Sequence, residues 1–312
     1  MHRYRFILFR PLQLIPVLFG ISVITFILVR LIPGDPARVL LGARATPSAI
    51  ANIRAQYGLD DPMWVQYLYF LKNLGAGEMG KSVVYKIDVL RLIATRIEPT
   101  PALVAAGVVL TLLISVPFAA LSARRQGRAA DHAVRMISTA GIGFPAFWLG
   151  MMLILLFSVR LEWLPVSGYG ETLGEKVQHM VLPGLTIALS LSAIITRSLR
   201  AGMIAGLSSD IATAARARGL GERAVFWRHV VPNAVVPTIN LLAVNIGWLI
   251  GGTVVVESVF AVPGLGQLMV RAIFSRDYMV VQGVALAFAL ATVLTNFAAD
   301  ILTVLLDPRV EM

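Results

Sequence analysis

The 312-residue sequence contains no cysteine, only four histidines and few charges, with Asp, Glu, Lys and Arg making up 14% of the chain. Without cysteine there is neither a disulfide framework nor a thiolate metal site. His2, His132, His179 and His229 are scattered and form no H-E-x-x-H pair, so no metal site is expected. No serine sits in a G-x-S-x-G elbow and no nucleophile–base pair stands out, which argues against proteolysis within a membrane. Soluble domains carry roughly 25% charged residues and 45–50% apolar ones. The 57% apolar content here excludes a cytosolic globular enzyme, and it equally excludes a disordered chain.

What the chain has instead is long apolar runs and an excess of basic residues. A helix needs about 20 mostly apolar residues to cross the ~30 Å hydrocarbon core. Six stretches qualify: Leu12–Leu31, Pro101–Ala123, Met136–Val159, Met180–Thr196, Ala234–Val256 and Met279–Leu306. They are too long, and alternate too little, for barrel strands. The first is longer than the apolar region of a signal peptide and no small-x-small site follows it, so it reads as a retained span. Arg30, near its end, is placed to snorkel.

Net charge is +10, from 27 Lys and Arg against 17 Asp and Glu. In a soluble protein that would suggest nucleic acid; in a polytopic one it reads as basic loops on one side of the bilayer. The tails and the second–third and fourth–fifth connections hold fourteen arginines, among them Arg3, Arg124, Arg200 and Arg309. The two short loops opposite hold four basic residues, Arg160, Lys176, Arg271 and Arg276. Both termini are therefore expected in the cytoplasm.

Gly75–Ser82 spells the phosphate-binding pattern G-x-x-x-x-G-K-[ST]. That pattern works after a buried strand, where backbone amides cradle the phosphates. Here Gln66–Leu74 precedes it with Tyr67, Phe70, Leu71 and Leu74 at helical spacing, and the orientation puts the segment outside. Its glycines read as turn residues.

The connection 197–232 is the most informative segment. Ser208-Ser209-Asp210 offers capping side chains, Ile211–Arg218 has good helix propensity, and Gly219 suits a helix stop. Glu222–Val230 then forms a second helical stretch ending at Pro232. One face of this hairpin is small, with Ala212 and Ala215, and the other presents arginines. An interfacial helix on anionic lipid would use larger apolar residues, so the small face favours docking into a protein groove.

The sequence Thr213-Ala214-Ala215, three residues, Gly219, nine residues, His229-Val230-Val231-Pro232 resembles the EAA loop of the membrane subunits of binding-protein-dependent ABC importers. That loop reads E-A-A, three residues, G, nine residues, I-x-L-P. Thr213 stands at the acidic position, with Asp210 or Glu222 as substitutes, and His229 and Val231 at the aliphatic ones. Other segments are similar to the peptide-importing branch: Leu31–Pro36, Tyr57–Pro62 with Gln66-Tyr67, Gly77–Ser82, Glu257–Phe260 with Pro263–Gly266 and Arg276–Tyr278, and Asp307-Pro308-Arg309.

The resemblance implies an all-α polytopic protein of the type I ABC-importer permease fold. It implies a first span and tail at 1–32, an extracytoplasmic segment at 33–99, and a five-span core at 100–312 containing the coupling loop. The implied function is import of dipeptides, oligopeptides or glutathione, with nickel import on the same scaffold as the alternative. An ATPase-independent secondary transporter is the competing class. The chain itself would be no enzyme and hold no cofactor or metal. ATP and Mg would sit on two partner ATPase subunits, alongside a second permease subunit and an extracytoplasmic substrate-binding protein in the bacterial cytoplasmic membrane. The coupling residues implied are Asp210, Thr213, Ala214, Ala215, Arg216, Arg218, Gly219, Glu222, His229 and Pro232.

Polar groups inside a bilayer usually face the bundle interior. Asn240, Asn245, Asn296 and Asp300 are candidates for the translocation path, with helix–helix hydrogen bonding as the alternative role. Asn240 and Asn245 lie about 140° apart around a helix and cannot share a narrow stripe. Phe144-Pro145 and Pro237 are expected to loosen their helices, and Gly247 and Gly251 to form a packing seam. The outer segment, with Tyr57, Trp64, Tyr67, Tyr69, Phe70 and Tyr85, is expected to form short helices whose aromatics lie in the interface belt or contact the binding protein.

Overall fold

A computed structural model describes residues 15–27, 30 and 46–306. Among these the regular structure is helical apart from one isolated antiparallel bridge between Lys81 and Asp88. The expected all-α class holds. In chain order the helices are α1 (Ile15–Ile27), α2 (Pro47–Tyr57), α3 (Met63–Gly75), α4 (Val89–Arg96) and α5 (Pro99–Arg124). They continue with α6 (Ala129–Gly143), α7 (Ala146–Leu153), α8 (Leu173–Leu207) and α9 (Asp210–Ala217). The last four are α10 (Glu222–Val225), α11 (Val231–Val259), α12 (Leu265–Phe274) and α13 (Tyr278–Leu306).

Four helical stretches are long and apolar enough to cross a bilayer: Val89–Arg124, Leu173–Leu207, Glu222–Val259 and Tyr278–Ala298. A fifth is obtained if the bent pair α6–α7 counts as one span. The first expected span, Leu12–Leu31, lies partly outside the described residues; its described part is α1.

The fourth span differs most from the sequence expectation of Met180–Thr196. Helix α8 runs for 35 residues, about 52 Å at 1.5 Å per residue. At its start Thr172 and Glu175 form a capping box: the Thr172 hydroxyl accepts from the Glu175 amide, and the Glu175 carboxylate accepts from the Thr172 amide at 3.1 Å. A hydropathy window registers the apolar middle of this helix and misses its polar ends. Pro183 sits within the helix, and Gly184 lets α8 approach α5 closely: a Cβ there would lie 3.0 Å from the Ala106 Cβ. From the other side, a Cβ on Gly107 would lie 2.6 Å from Ile187. The α5–α8 pair is the most extensive helix contact in the fold.

The third span breaks outright at Phe144-Pro145. Phe144 is extended, at φ −97° and ψ 131°, as a residue before proline prefers, and Pro145 precedes the first turn of α7. The helix then widens into π-helical turns over Ile154–Arg160. Pro237, by contrast, sits inside the continuous α11.

Three apolar clusters organise the bundle. One joins α5, α8, α9, the Val225–Val230 turn and the start of α11. The second joins α4, α12 and α13. The third joins α5, α7, α8 and the end of α11 through Leu103, Leu182, Val256 and Phe260. The segment before α5 forms short helices, as expected. Its aromatics divide: Tyr67 and Phe70 pack on Phe26 of α1, with ring centroids 5.1 and 5.7 Å away, while Trp64 and Tyr69 stay exposed. Tyr85 packs partly buried against the second cluster, and the side chain of Tyr57 lies outside the described residues. Arg30 donates to the Gln66 side chain at 2.7 Å and sits over the Phe26 ring, which fastens α1 to α3.

Candidate functional site

The candidate site is the hairpin at the arginine-rich end of the bundle. Ser209 caps α9: its hydroxyl accepts from the Ala212 amide at 3.3 Å and donates to the Gly206 carbonyl at 2.7 Å. Thr213 donates its hydroxyl back to the Ser209 carbonyl. The helix stops at Gly219, whose φ of +83° only glycine adopts without strain, and nothing lies within 4 Å of where its Cβ would be.

The alanine face is buried, and what buries it is this chain. Ala212 and Ala215 belong to one buried apolar cluster with Ala119, Ala120 and Ala123 of α5, Leu199 and Met203 of α8, and Phe226 and Val230. The small residues therefore seat the hairpin on its own bundle, which corrects the expectation that they form the docking face for another protein. Alanine suits this seat because it brings a helix backbone close to its neighbours. The opposite face is open, with Asp210, Ile211, Thr213, Ala214, Ala217 and Arg218 exposed.

Arg216 and Glu222 clamp the hairpin. The Arg216 Nε donates to Glu222 Oε1 at 2.7 Å, a second nitrogen reaches Oε2 at 3.3 Å, and the third reaches the Leu207 carbonyl at 3.2 Å. The Glu222 carboxylate holds the Arg216 guanidinium above its ordinary value. Glu222 pairs with Arg216 yet stays exposed, and Asp210 is exposed in the first turn of α9, so both acids named as substitutes for the one that Thr213 replaces lie at the surface. His229 is half-buried and Pro232 exposed at the start of α11. Arg124, from α5, lies 5.0 Å over the Phe226 ring.

The expected path residues whose side chains are described lie at several places, on α11, on α13 and at the break before α7. Asn240 lies on an exposed stripe of α11 with Pro237, Val244, Trp248 and Gly251. Asn245, half-buried, donates to the Leu241 carbonyl of its own helix at 2.7 Å, so it is no interhelical bond. Asn296 stands beside Gly247, where a Cβ would be 3.5 Å from its Oδ1. Gly247 therefore belongs to an α11–α13 seam, whereas Gly251 has open space around it and does not. Phe144 is exposed and stacks on Trp148 with centroids 4.7 Å apart, and Pro145 is exposed beside it. Asp300 falls on α13, with its side chain outside the described residues.

Beside the hairpin lies a network the sequence reading missed. Asp131, in the first turn of α6, is 1% exposed. Its two oxygens accept from Arg200 Nε and a terminal nitrogen, both at 2.7 Å. The Gly127 amide adds a bond at 3.0 Å, and Ser122 of α5 donates its hydroxyl as well. Arg200 counts in the sequence only as one basic residue among many. The available signal was Asp131 itself, the one acidic residue between Arg124 and Arg160.

Residues 115–312 match the family described as binding-protein-dependent transport system inner membrane component, and residues 3–88 match the N-terminal component of such systems. The chain is 37% identical over 313 residues to an oligopeptide transport system permease protein, AppB, of Bacillus subtilis (strain 168), covering 98% of this chain and 99% of that one. It is also 37% identical over 306 residues to a glutathione transport system permease protein, GsiC, of Escherichia coli (strain K12), covering 98% of each. Among solved structures, an inward-facing MetNI methionine ABC transporter matches with a TM-score of 0.57 at 17% identity, covering 69% of this chain and 96% of that one.

Proposed function

The chain belongs to the family of binding-protein-dependent transport system inner membrane components, and from that premise we propose that it is one of two permease subunits lining the route of short peptides through an ATP-driven importer. The observation that carries the substrate class is the identity, 37% over nearly its whole length, to permeases named for oligopeptide and glutathione transport. In this reading the chain crosses the bacterial cytoplasmic membrane six times with both ends inside. Residues 1–32 hold the tail and first span, 33–99 face outward, and 100–312 form the core. The bias of fourteen basic residues against four supports that orientation.

The division of labour follows from the hairpin. Two ATPase subunits bind ATP and Mg and meet the open face of α9 through Asp210, Ile211, Thr213, Ala214 and Arg218. A helix seated on α5 and α8 by Ala212 and Ala215 moves with those helices, so ATPase closure becomes rocking of the bundle. Such coupling requires each state to make different contacts at both sites. The exposed stripe of α11 from Pro237 to Val255, together with Phe144, is the surface turned to the second permease subunit and the route. An extracytoplasmic binding protein delivers substrate at the end bearing Trp64 and Tyr69.

The test is uptake in proteoliposomes containing both permeases, both ATPases and the binding protein, with labelled di-, tri- and pentapeptides and glutathione offered in turn. Uptake of at least one, dependent on ATP, is expected. Uptake that survives omission of the ATPases overturns the reading.

A further inference from the structure

We propose that the Asp131–Arg200 pair is a transmission node, a pair of positioning residues that passes movement of the hairpin into the broken third span. The inference rests on the reading of the chain as an ATP-driven importer subunit, and it goes beyond that reading by assigning a role to residues outside the hairpin.

The geometry starts from three helix ends that meet at one carboxylate. Ser122 is in the last turn and a half of α5, Asp131 in the first turn of α6, and Arg200 two turns before the end of α8. Asp131 accepts from all of them: two bonds from Arg200, one from Ser122 and one from the Gly127 amide in the α5–α6 turn. Arg200 Nε also donates to the Ser122 hydroxyl at 2.9 Å, so the three side chains close a ring.

That ring is continuous with the seat of the hairpin. Ala120 and Ala123, in the same buried cluster as Ala212 and Ala215 of α9, lie beside Ser122 in α5; Leu199 and Met203, also in that cluster, lie beside Arg200 in α8. The hairpin joins the end of α8 through Ser208 and Ser209 and runs on into α11 through Phe226–Val230. Motion imposed on α9 therefore reaches α5 and α8 by packing. It reaches α6 in two ways: by packing, since α6 lies against both α5 and α8, and through Asp131, the polar contact that fixes the rotation of α6 against α8. Beyond α6 lies the break at Phe144-Pro145, the one place in the described core where a span is already jointed.

The chemistry fits transmission better than bulk cohesion. A buried ion pair is weak evidence for stability, since well-packed apolar residues often hold helices as firmly. What a bidentate guanidinium–carboxylate pair adds is direction: two parallel bonds fix the rotation of one helix against another. An isosteric amide keeps the volume and loses that constraint.

The test uses the complete importer in proteoliposomes: both permeases, both ATPases and the binding protein, with radiolabelled trialanine as the probe. Peptide imported per ATP hydrolysed is measured alongside ATP hydrolysis. With Asp131→Asn, ATP hydrolysis is expected to stay within about twofold of wild type while peptide per ATP falls about tenfold, inside the roughly 5–150-fold range of site–site couplings. Arg200→Lys, which supplies a point charge without the fork, is expected to be intermediate.

An unchanged ratio in Asp131→Asn overturns the inference while leaving the importer reading intact. So does a variant that fails to reach the membrane while Ser122→Ala behaves as wild type, because the network is then a folding requirement. Absence of ATP-dependent uptake in the wild-type complex is a different result: it removes the importer reading and this inference with it.

Discussion

Glu257, in the last turn of α11, accepts a 2.7 Å hydrogen bond from the Thr100 hydroxyl at the head of α5, and that same hydroxyl accepts from the Leu265 amide at 2.9 Å. The second carboxylate oxygen of Glu257 accepts from the Gln267 amide at 3.0 Å. A fully buried carboxylate thus satisfies the N-terminal amides of α12 and ties that short helix to two spans. This explains the segment Glu257–Phe260 with Pro263–Gly266: the glycines are the residues that leave room for the acid.

Gly264→Ala is the direct check. Its Cβ would sit 2.5 Å from the Glu257 carboxyl carbon, with both oxygens at 2.6 Å or less. The carboxylate cannot move without surrendering the α12 amides, so the substitution should destabilise the protein by about 1–3 kcal/mol. Thermal unfolding of the purified protein in detergent, followed by tryptophan fluorescence, should show a lowered midpoint. A midpoint equal to that of wild type would mean α12 is not held this way.

The two faces of α9 should respond oppositely to one charge. Ala215 is 5% exposed against the Phe226 cluster, so Ala215→Glu buries an unpaired carboxylate and should unseat the hairpin, reducing the protein recovered from membranes. Ala214→Glu lies on the exposed face and should leave expression and thermal midpoint at wild-type levels while abolishing co-purification of the ATPases. Equal co-purification with Ala214→Glu would place the ATPase contact elsewhere.

Much of this was legible in the chain, and the reason is periodicity. Apolar runs such as Pro101–Ala123 report a span because a membrane helix must be apolar on every side. Cap chemistry was equally readable, since Ser209 and Gly219 have local reasons for their positions. Two kinds of feature were hidden. The partner of a small face is a tertiary fact: nothing in Ala212 and Ala215 says whether another protein or the chain's own bundle covers them. Long-range polar pairs were also invisible, because Asp131 and Arg200 are 69 residues apart and each alone resembles a solvated loop charge. The span lengths failed where polar turns extend an apolar helix, as at both ends of α8.

Gly219→Ala should be tolerated better than Gly219→Pro. The site is spacious, so alanine meets only the left-handed backbone penalty of roughly 1–2 kcal/mol. Proline, with φ fixed near −65°, cannot adopt +83° at all, and its missing N–H would also break the bond to the Arg216 carbonyl at 2.9 Å. Expected ATPase co-purification is therefore near wild type for alanine and lost for proline. Loss of binding in both would show that Gly219 touches the ATPase directly.

The phosphate-loop look-alike gives the last discrimination. In the structure Gly77 and Gly80 are turn residues with φ of +78°, the preceding element is the helix α3, and no amide cradle opens at Lys81, which is exposed. Ser82 is 2% exposed, donates its hydroxyl to Asp277 at 2.5 Å and accepts from the Tyr85 amide at 2.8 Å. A carboxylate occupies the place a phosphate would need, and its charge would repel one. The pattern's lysine and serine should therefore part company on substitution. Lys81→Ala should leave ATP-dependent uptake unchanged. Ser82→Ala should lower the thermal midpoint, because it strips a hydrogen bond from the fully buried Asp277 at a cost of about 1–3 kcal/mol. A nucleotide-binding loop demands the reverse ranking, in which the lysine carries the larger loss of activity and the stability of the serine variant barely changes.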